Sequence, residues 1–130
     1  MNCYDSSFVI DYLDGRATAI DYLETHADHP HRLPAIVLFE LFQGELYSDG
    51  PPQFEPLRHQ LGWADVVPYT EETALYTGRL LDELSKYGRA LRPRDAMIAG
   101  TAYQLDATLV SSDADLTNSD VQSVVDVETY

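Results

Sequence analysis

The stretch TLVSSDADL, residues Thr108 to Leu116, decides how the chain is read. Three strand-favouring residues, Thr108-Leu109-Val110, run at once into two serines and then Asp113 and Asp115, so a short strand ends in paired acids. The amino terminus repeats the pattern. Asn2–Tyr4 reads as a strand with Asp5 at its end, followed by a Ser6-Ser7 helix start and the apolar run Phe8-Val9-Ile10 up to the breaker Gly15. If the two strands run parallel, Asp5 and Asp113 emerge on one edge, and open α/β sheets place functional groups outside the carboxyl ends of their strands.

Between these ends the spacing alternates between helix and strand. From Ala17 to about Ala27 the positions Ile20, Leu23 and Ala27 recur at helical spacing, and HADHPHR breaks the pattern. Leu33 to about Ile36 reads as a strand, followed by a helix through Tyr47 that holds Glu40 in its first turns. SDGPPQ is a loop, Phe54–Leu61 a short helix, and Ala64–Val67 a strand ending at Pro68. Thr70-Glu71-Glu72 supplies a cap and acidic charge to the longest helix, striped by Tyr76, Leu80, Leu84 and Tyr87 until Gly88. Pro93 and Arg94 lead into Asp95 and a helix whose face carries Ile98, Ala99 and Ala102, ending at Leu105. Val121–Val127 offers a last strand. Alternating strands and helices, with neither repeat nor linker, imply an α/β sandwich around a mainly parallel sheet. A length of 130 residues suits one domain spanning 1–130.

Composition narrows the function classes. Hydrophobic residues at 45% argue for a packed fold rather than an acidic disordered tail, despite a formal charge of −14. Acids outnumber bases 22 to 8, and Lys86 is the only lysine. That bias resembles proteins of halophilic, salt-loaded cytoplasms and bears on solvation rather than fold. Half of the basic residues (Lys86, Arg89, Arg92 and Arg94) fall in one stretch, KYGRALRPR, so positive charge is local. Cys3, the single cysteine, permits no internal disulfide and reads as inert. The start MNCYDSS has no basic secretory leader and no apolar run nears the ~20 residues of a membrane span, so the expectation is a cytoplasmic protein without membrane association.

Asp5, Glu40, Asp95 and Asp113 are the acids that matter: two at strand ends and two near helix starts, each beside small or apolar residues. Two unit charges ~4 Å apart cost about 4 kcal/mol at an effective dielectric near 20, so carboxylates converging in one pocket require a positive partner. Oxygen donors without His or Cys favour a hard cation, Mg²⁺ or Mn²⁺. Such an ion activates water for in-line attack on a phosphodiester. With 22 acids in the chain, chance alone puts some at strand ends, and spacing by itself leaves both readings open.

The neighbouring sequence adds a resemblance. YDSSFVIDYL, AIVLFELFQGEL, RDAMIAGTAYQLDATLV and SSDADL, in this order and at these intervals, resemble the four characteristic blocks of PIN-domain ribonucleases, whose small members are the VapC-type toxins of toxin–antitoxin pairs. The resemblance covers nearly the whole chain. It implies a PIN-like three-layer α/β/α sandwich, a Mg²⁺- or Mn²⁺-dependent endoribonuclease acting on RNA, a cognate VapB-like antitoxin and a homodimer. It further implies that Asp5 and Asp95 are the principal metal ligands, that Glu40 and Asp113 complete a catalytic acidic pocket, and that Asp115 is auxiliary. Where the family has Thr-Asn after the first aspartate and Thr before the fourth, Ser6 and Ser111 keep the supporting hydroxyl, whereas Ser7 lacks the amide. The competing class is a PIN fold kept as a non-catalytic RNA- or protein-binding module.

Other patterns were weighed against these. DADLT, Asp113 to Thr117, matches a phosphatase nucleophile motif, but too little chain follows it to supply that chemistry's lysine. His26, His29 and His31 with Asp28 resemble a transition-metal cluster, but Pro30 interrupts them and no cysteine joins, so a solvated helix end and turn is the simpler reading. Arg92 and Arg94, with Arg89, are candidates for binding substrate phosphate because guanidinium groups bind phosphate bidentately, against the alternative of pairing with surface acids. Phe39, Phe42, Tyr76, Leu80 and Leu84 exceed one core and are candidates for a dimer surface or a groove for an antitoxin helix.

Overall fold

The computed structural model describes residues 1–130. Strand β1 (Asn2–Tyr4) leads through α1 (Ser6–Leu13) and α2 (Ala17–Thr25) to β2 (His31–Pro34), and α3 (Ala35–Glu45) and α4 (Phe54–Gln60) lead to β3 (Asp65–Val67). The long helices α5 (Glu71–Ser85) and α6 (Pro93–Leu105) precede β4 (Thr108–Val110). Two single-turn helices, α7 (Ala114–Thr117) and α8 (Ser119–Gln122), come before β5 (Val127–Glu128).

The sheet order is β3-β2-β1-β4-β5, and every pairing is parallel. The chain steps outward from β1 to β2 and β3, then returns across β1 to lay β4 on its other side. Right-handed crossovers therefore put α1–α4 and α5–α6 on opposite faces, which gives the three-layer α/β/α sandwich. The reversal makes a topological switch point between β1 and β4, whose registers are Asn2↔Thr108, Cys3↔Leu109 and Tyr4↔Val110. Asp5 and the 111–113 segment leave the sheet side by side there.

Strands this short and buried on both faces depend on the helices that cover them. β1 is wholly buried, and Cys3, Tyr4, Leu33, Leu109 and Val110 join Leu80, Leu84 and Ile98 from α5 and α6 in one hydrophobic cluster. The α5–α6 contact is unusually close: a Cβ on Gly100 would lie 2.0 Å from the Thr77 hydroxyl and 2.9 Å from the Thr77 Cα. Thr77 Oγ1 donates to the Thr73 carbonyl (2.8 Å), so its polar atom is satisfied inside the helix it belongs to.

Several boundaries differ from the sequence reading. The second strand begins at His31 and ends at Pro34, because its register is fixed by Asn2 on one side and by Val66 and Val67 on the other; Ala35 already starts α3. Glu40 is thus the sixth residue of α3, and the helix stops at Glu45. α2 ends at Thr25. The last strand keeps only Val127 and Glu128: the Asn118 side chain accepts from the Val121 amide and caps α8 over Val121. The buried face of α5 is Thr73, Thr77, Leu80 and Leu84, while Tyr87 is exposed. Of the apolar residues proposed for a partner surface, Leu80 and Leu84 are core and Phe39 is 55% exposed. No helix is long and apolar enough to cross a membrane.

Candidate functional site

Asp5 is the N-cap of α1, and it is only 2% exposed. Its Oδ1 accepts from the Phe8 amide (3.2 Å) and from the Ser7 hydroxyl (2.6 Å), and its Oδ2 accepts from the Ser111 hydroxyl (2.6 Å). Each serine is oriented from behind by a consecutive backbone amide of the 111–113 segment. Ser112 N–H donates to Ser7 Oγ (3.1 Å), and Asp113 N–H donates to Ser111 Oγ (3.0 Å). With the oxygen lone pair engaged, each hydroxyl proton is directed at the carboxylate, and both relays polarise in the same sense. Ser111 thus gives Asp5 a hydroxyl donor. Ser7, noted in the sequence for the amide it lacks, does the same, since a hydroxyl donates one hydrogen bond as well as an amide.

Beside Asp5 opens a cleft of about 540 Å³ with no hydrophobic lining. Four acids face it, Glu40, Asp95, Asp113 and Asp115, together with Arg92, Arg94, Ser6 and Pro93. Asp95 sits in the first turn of α6 and Asp113 caps α7, accepting from the Asp115 amide (2.9 Å). Helix amino termini thus stand behind Asp5, Asp95 and Asp113, and their partial positive charge offsets some of the mutual repulsion. Glu40 reaches the cleft from α3. Its Oε2 meets Arg94 Nη1 at 3.5 Å, whereas its Oε1 is buried without a hydrogen-bond partner.

The electrostatics follow from this packing. Burial pushes the Asp5 carboxyl above the ordinary range; the Ser111, Ser7 and Phe8 donors oppose it and the Asp113 charge reinforces it. Asp95 is also raised by burial, then by the charges of Asp113, Asp115 and Asp5, against Arg92. Burial likewise raises Glu40, with Asp95 and Asp5 adding to it and Arg94 and Ser6 holding it down. The acids feel one another's charge. Even so, no three Asp, Glu, His or Cys side chains are drawn together tightly enough to form a finished metal cage.

Glu40, Asp95, Asp113, Asp115, Ser6, Arg92 and Arg94 share the cleft wall, and Asp5 and Ser111 lie buried beside it. Arg94 is engaged by Glu40, and Arg89 by Asp120 at 3.1 Å, while Arg92 has no carboxylate within ion-pair distance. The histidines go elsewhere: His26 Nδ1 lies 2.8 Å from the Tyr22 carbonyl, His31 Nδ1 lies 2.7 Å from the Tyr4 hydroxyl, and His29 is partly exposed beside Asp28. Sequence reasoning missed Ser7 and the Tyr130–Ser112 contact described below. The triplet Asp5-Ser6-Ser7 holds a signal for the first, a helix-capping acid with a hydroxyl two residues on; the second joins positions 18 apart and has none.

At the switch point of a parallel α/β sheet, the cleft is thus walled by carboxylate oxygens and rimmed by two arginines. The family model for the PIN domain matches residues 3–121, and the chain belongs to that family. No curated protein matches the chain. Solved structures share its fold at low identity. A chain of VapBC2 from Rickettsia felis, bound to a promoter DNA fragment, superposes with a TM-score of 0.82 at 20% identity, covering 99% of this chain and 98% of that one. A chain of VapBC-1 from nontypeable Haemophilus influenzae gives 0.80 at 20% identity, covering 98% and 96%. A toxin–antitoxin complex from Klebsiella pneumoniae gives 0.73 at 22% identity, covering 92% of each chain.

Proposed function

We propose that residues 1–130 act as a single PIN domain, a Mg²⁺- or Mn²⁺-dependent endoribonuclease of VapC type that a VapB-like antitoxin silences in the cytoplasm. The observation that carries this reading is the buried Asp5, fixed by three donors at the sheet switch point beside the acid-lined cleft. Capping α1 needs only the Phe8 amide, so the added hydroxyls of Ser7 and Ser111 on Asp5 favour a site carboxylate over a cap alone.

The donor set fits a hard divalent cation. All candidate ligands are carboxylate oxygens, and Glu40 Oε1 is a buried acceptor with no hydrogen-bond partner. Asp5 and Asp95 would be the principal ligands, with Glu40 and Asp113 completing the pocket and Asp115 auxiliary. The open spacing suits Mg²⁺, which takes one or two carboxylates and leaves its remaining positions to water and substrate phosphate. When bound, such an ion supplies Lewis-acid activation of water and charge neutralisation at phosphate.

The chain's own residues do the rest. Ser7, Ser111 and Phe8 hold Asp5 in one orientation, so no reorganisation is needed when phosphate arrives. Arg92, free of any carboxylate, presents its guanidinium to the phosphate backbone of RNA, and Arg94 stands ready to do so when Glu40 takes another partner. The structural neighbours from toxin–antitoxin complexes support an antitoxin partner, and the exposed Phe39, Leu46 and Tyr47 support association with that partner and with a second copy of this chain.

Incubation of the protein with total RNA tests the reading. Cleavage should require Mg²⁺ or Mn²⁺, stop with EDTA, and be lost in Asp5→Asn and Asp95→Asn proteins that keep wild-type circular dichroism. Full cleavage by either variant would overturn the assignment; RNA bound but never cut would leave the binding module as the function.

A further inference from the structure

We propose that Tyr130 is a positioning residue for Asp5, acting through Ser112 and Ser7; the inference rests on the reading of Asp5 as a site carboxylate. Asp5 takes its hydrogen bonds from two segments. Phe8 and Ser7 belong to α1, while Ser111 and the amides behind both serines belong to the segment that follows β4. Tyr130 links these segments. Its ring packs edge-on against Phe8 of α1, with centroids 4.8 Å apart and planes at 79°. Its hydroxyl lies 2.6 Å from Asp11 Oδ2, also on α1, and 3.2 Å from Ser112 Oγ. Having one proton, the phenol gives it to the Asp11 carboxylate, which Arg16 holds from the other side at 3.1 Å, and can accept from the Ser112 hydroxyl.

The consequence runs inward by three links. Tyr130 meets Ser112 at its side-chain Oγ, the Ser112 amide donates to Ser7 Oγ, and Ser7 directs its proton to Asp5 Oδ1. A serine side chain has three staggered positions, and the amide behind it favours the one that faces the carboxylate. With Ser112 released, Ser7 can turn away, and Asp5 keeps the Phe8 amide on Oδ1 as its sole donor there. The ring of Tyr130 is packing; its hydroxyl is the link. Tyr130→Phe separates the two.

The test uses the full-length, metal-free protein and two readouts: the NMR resonances of the Ser112 amide and the Asp5 side-chain carboxyl carbon, and Mn²⁺ affinity by calorimetry. Tyr130→Phe should move both resonances and weaken Mn²⁺ several-fold, against about tenfold for Ser7→Ala. The double variant should be no weaker than Ser7→Ala alone, because both act on one relay. Ser112→Ala, which removes the outer contact and keeps the amide, should reproduce Tyr130→Phe. An unmoved Asp5 carboxyl resonance would overturn the proposal, as would a Tyr130→Phe effect that persists in full on the Ser7→Ala background. A purely structural tyrosine would lower the melting temperature and shift only the Ser112 amide it touches, leaving the Asp5 resonance and Mn²⁺ affinity alone. If the wild-type protein binds no Mn²⁺, the metal reading fails, and the Asp5 resonance alone decides the positioning role.

Discussion

Replacing Ser111 with alanine removes one atom from a fully buried side chain and asks what the brace on Asp5 is worth. The lost bond is short, 2.6 Å, and a bond of this kind to an ionised carboxylate is worth about 2–3 kcal/mol. The Asp113 amide also loses its acceptor, but it is only partly buried and can turn to water in the cleft. The cost must depend on pH, and its sign can be worked out. The Ser111 hydroxyl favours the charged form of Asp5 and opposes the rise that burial imposes; without it the folded carboxyl binds its proton more tightly. The variant's stability then falls more steeply than that of wild type as pH rises through the Asp5 pKa. In acid, with Asp5 neutral, the same bond is an ordinary one worth about 1 kcal/mol, and the difference between the two proteins shrinks accordingly. Urea unfolding followed by Trp63 fluorescence, at pH 7 and in acid, measures both quantities. A difference below about 0.5 kcal/mol at pH 7, or one that does not change with pH, would refute the reasoning.

Three further outcomes are expected. Gly100→Ala should lose about 3 kcal/mol or more, read by thermal melting, since the new methyl meets the Thr77 backbone as well as its side chain and Thr77→Ala can relieve only part of the clash. Metal-free protein should melt higher on mild acidification from pH 7, because Asp5, Glu40 and Asp95 all have raised folded pKa values and cost stability above them; Mn²⁺ should flatten that slope, and added salt, which screens 22 acids against 8 bases, should raise the melting temperature. Arg92→Ala, measured in an Asp95→Asn background so that RNA survives, should weaken RNA binding and lower the salt slope by about 1; an unchanged slope would remove Arg92 from the phosphate path.

The parts of the molecule visible in the sequence are those set by local chemistry. Asn2–Tyr4 and Thr108–Val110 were legible because each short run gives way to a capping acid, Asp5 at once and Asp113 after two serines, and α6 because Pro93 opens it and its small apolar face repeats to Leu105. Given parallel strands, those same acids had to meet on one edge. The second strand was shifted by two residues because an apolar run such as Leu33–Val37 suits strand or helix equally, and only pairing to β1 and β3 chooses. Val121 was lost to a one-turn helix by the Asn118 cap, a side-chain bond that competes with extended backbone. Within the site, Asp5, Glu40, Asp95 and Asp113 stood out by their places at strand ends and helix starts and by the family resemblance; residue type alone left them among 22 acids. The Ser7 bond to Asp5 is local and has its signal in Asp5-Ser6-Ser7, whereas the Ser112 and Tyr130 contacts behind it join distant segments, which no local pattern records.

If the acids of the switch point seat a divalent cation, calorimetric titration of Mn²⁺ into wild-type and Asp95→Asn protein should show a saturable site in the wild type, weakened at least about tenfold in the variant with its fold intact. Equal binding by the two proteins, or none by the wild type, would contradict it.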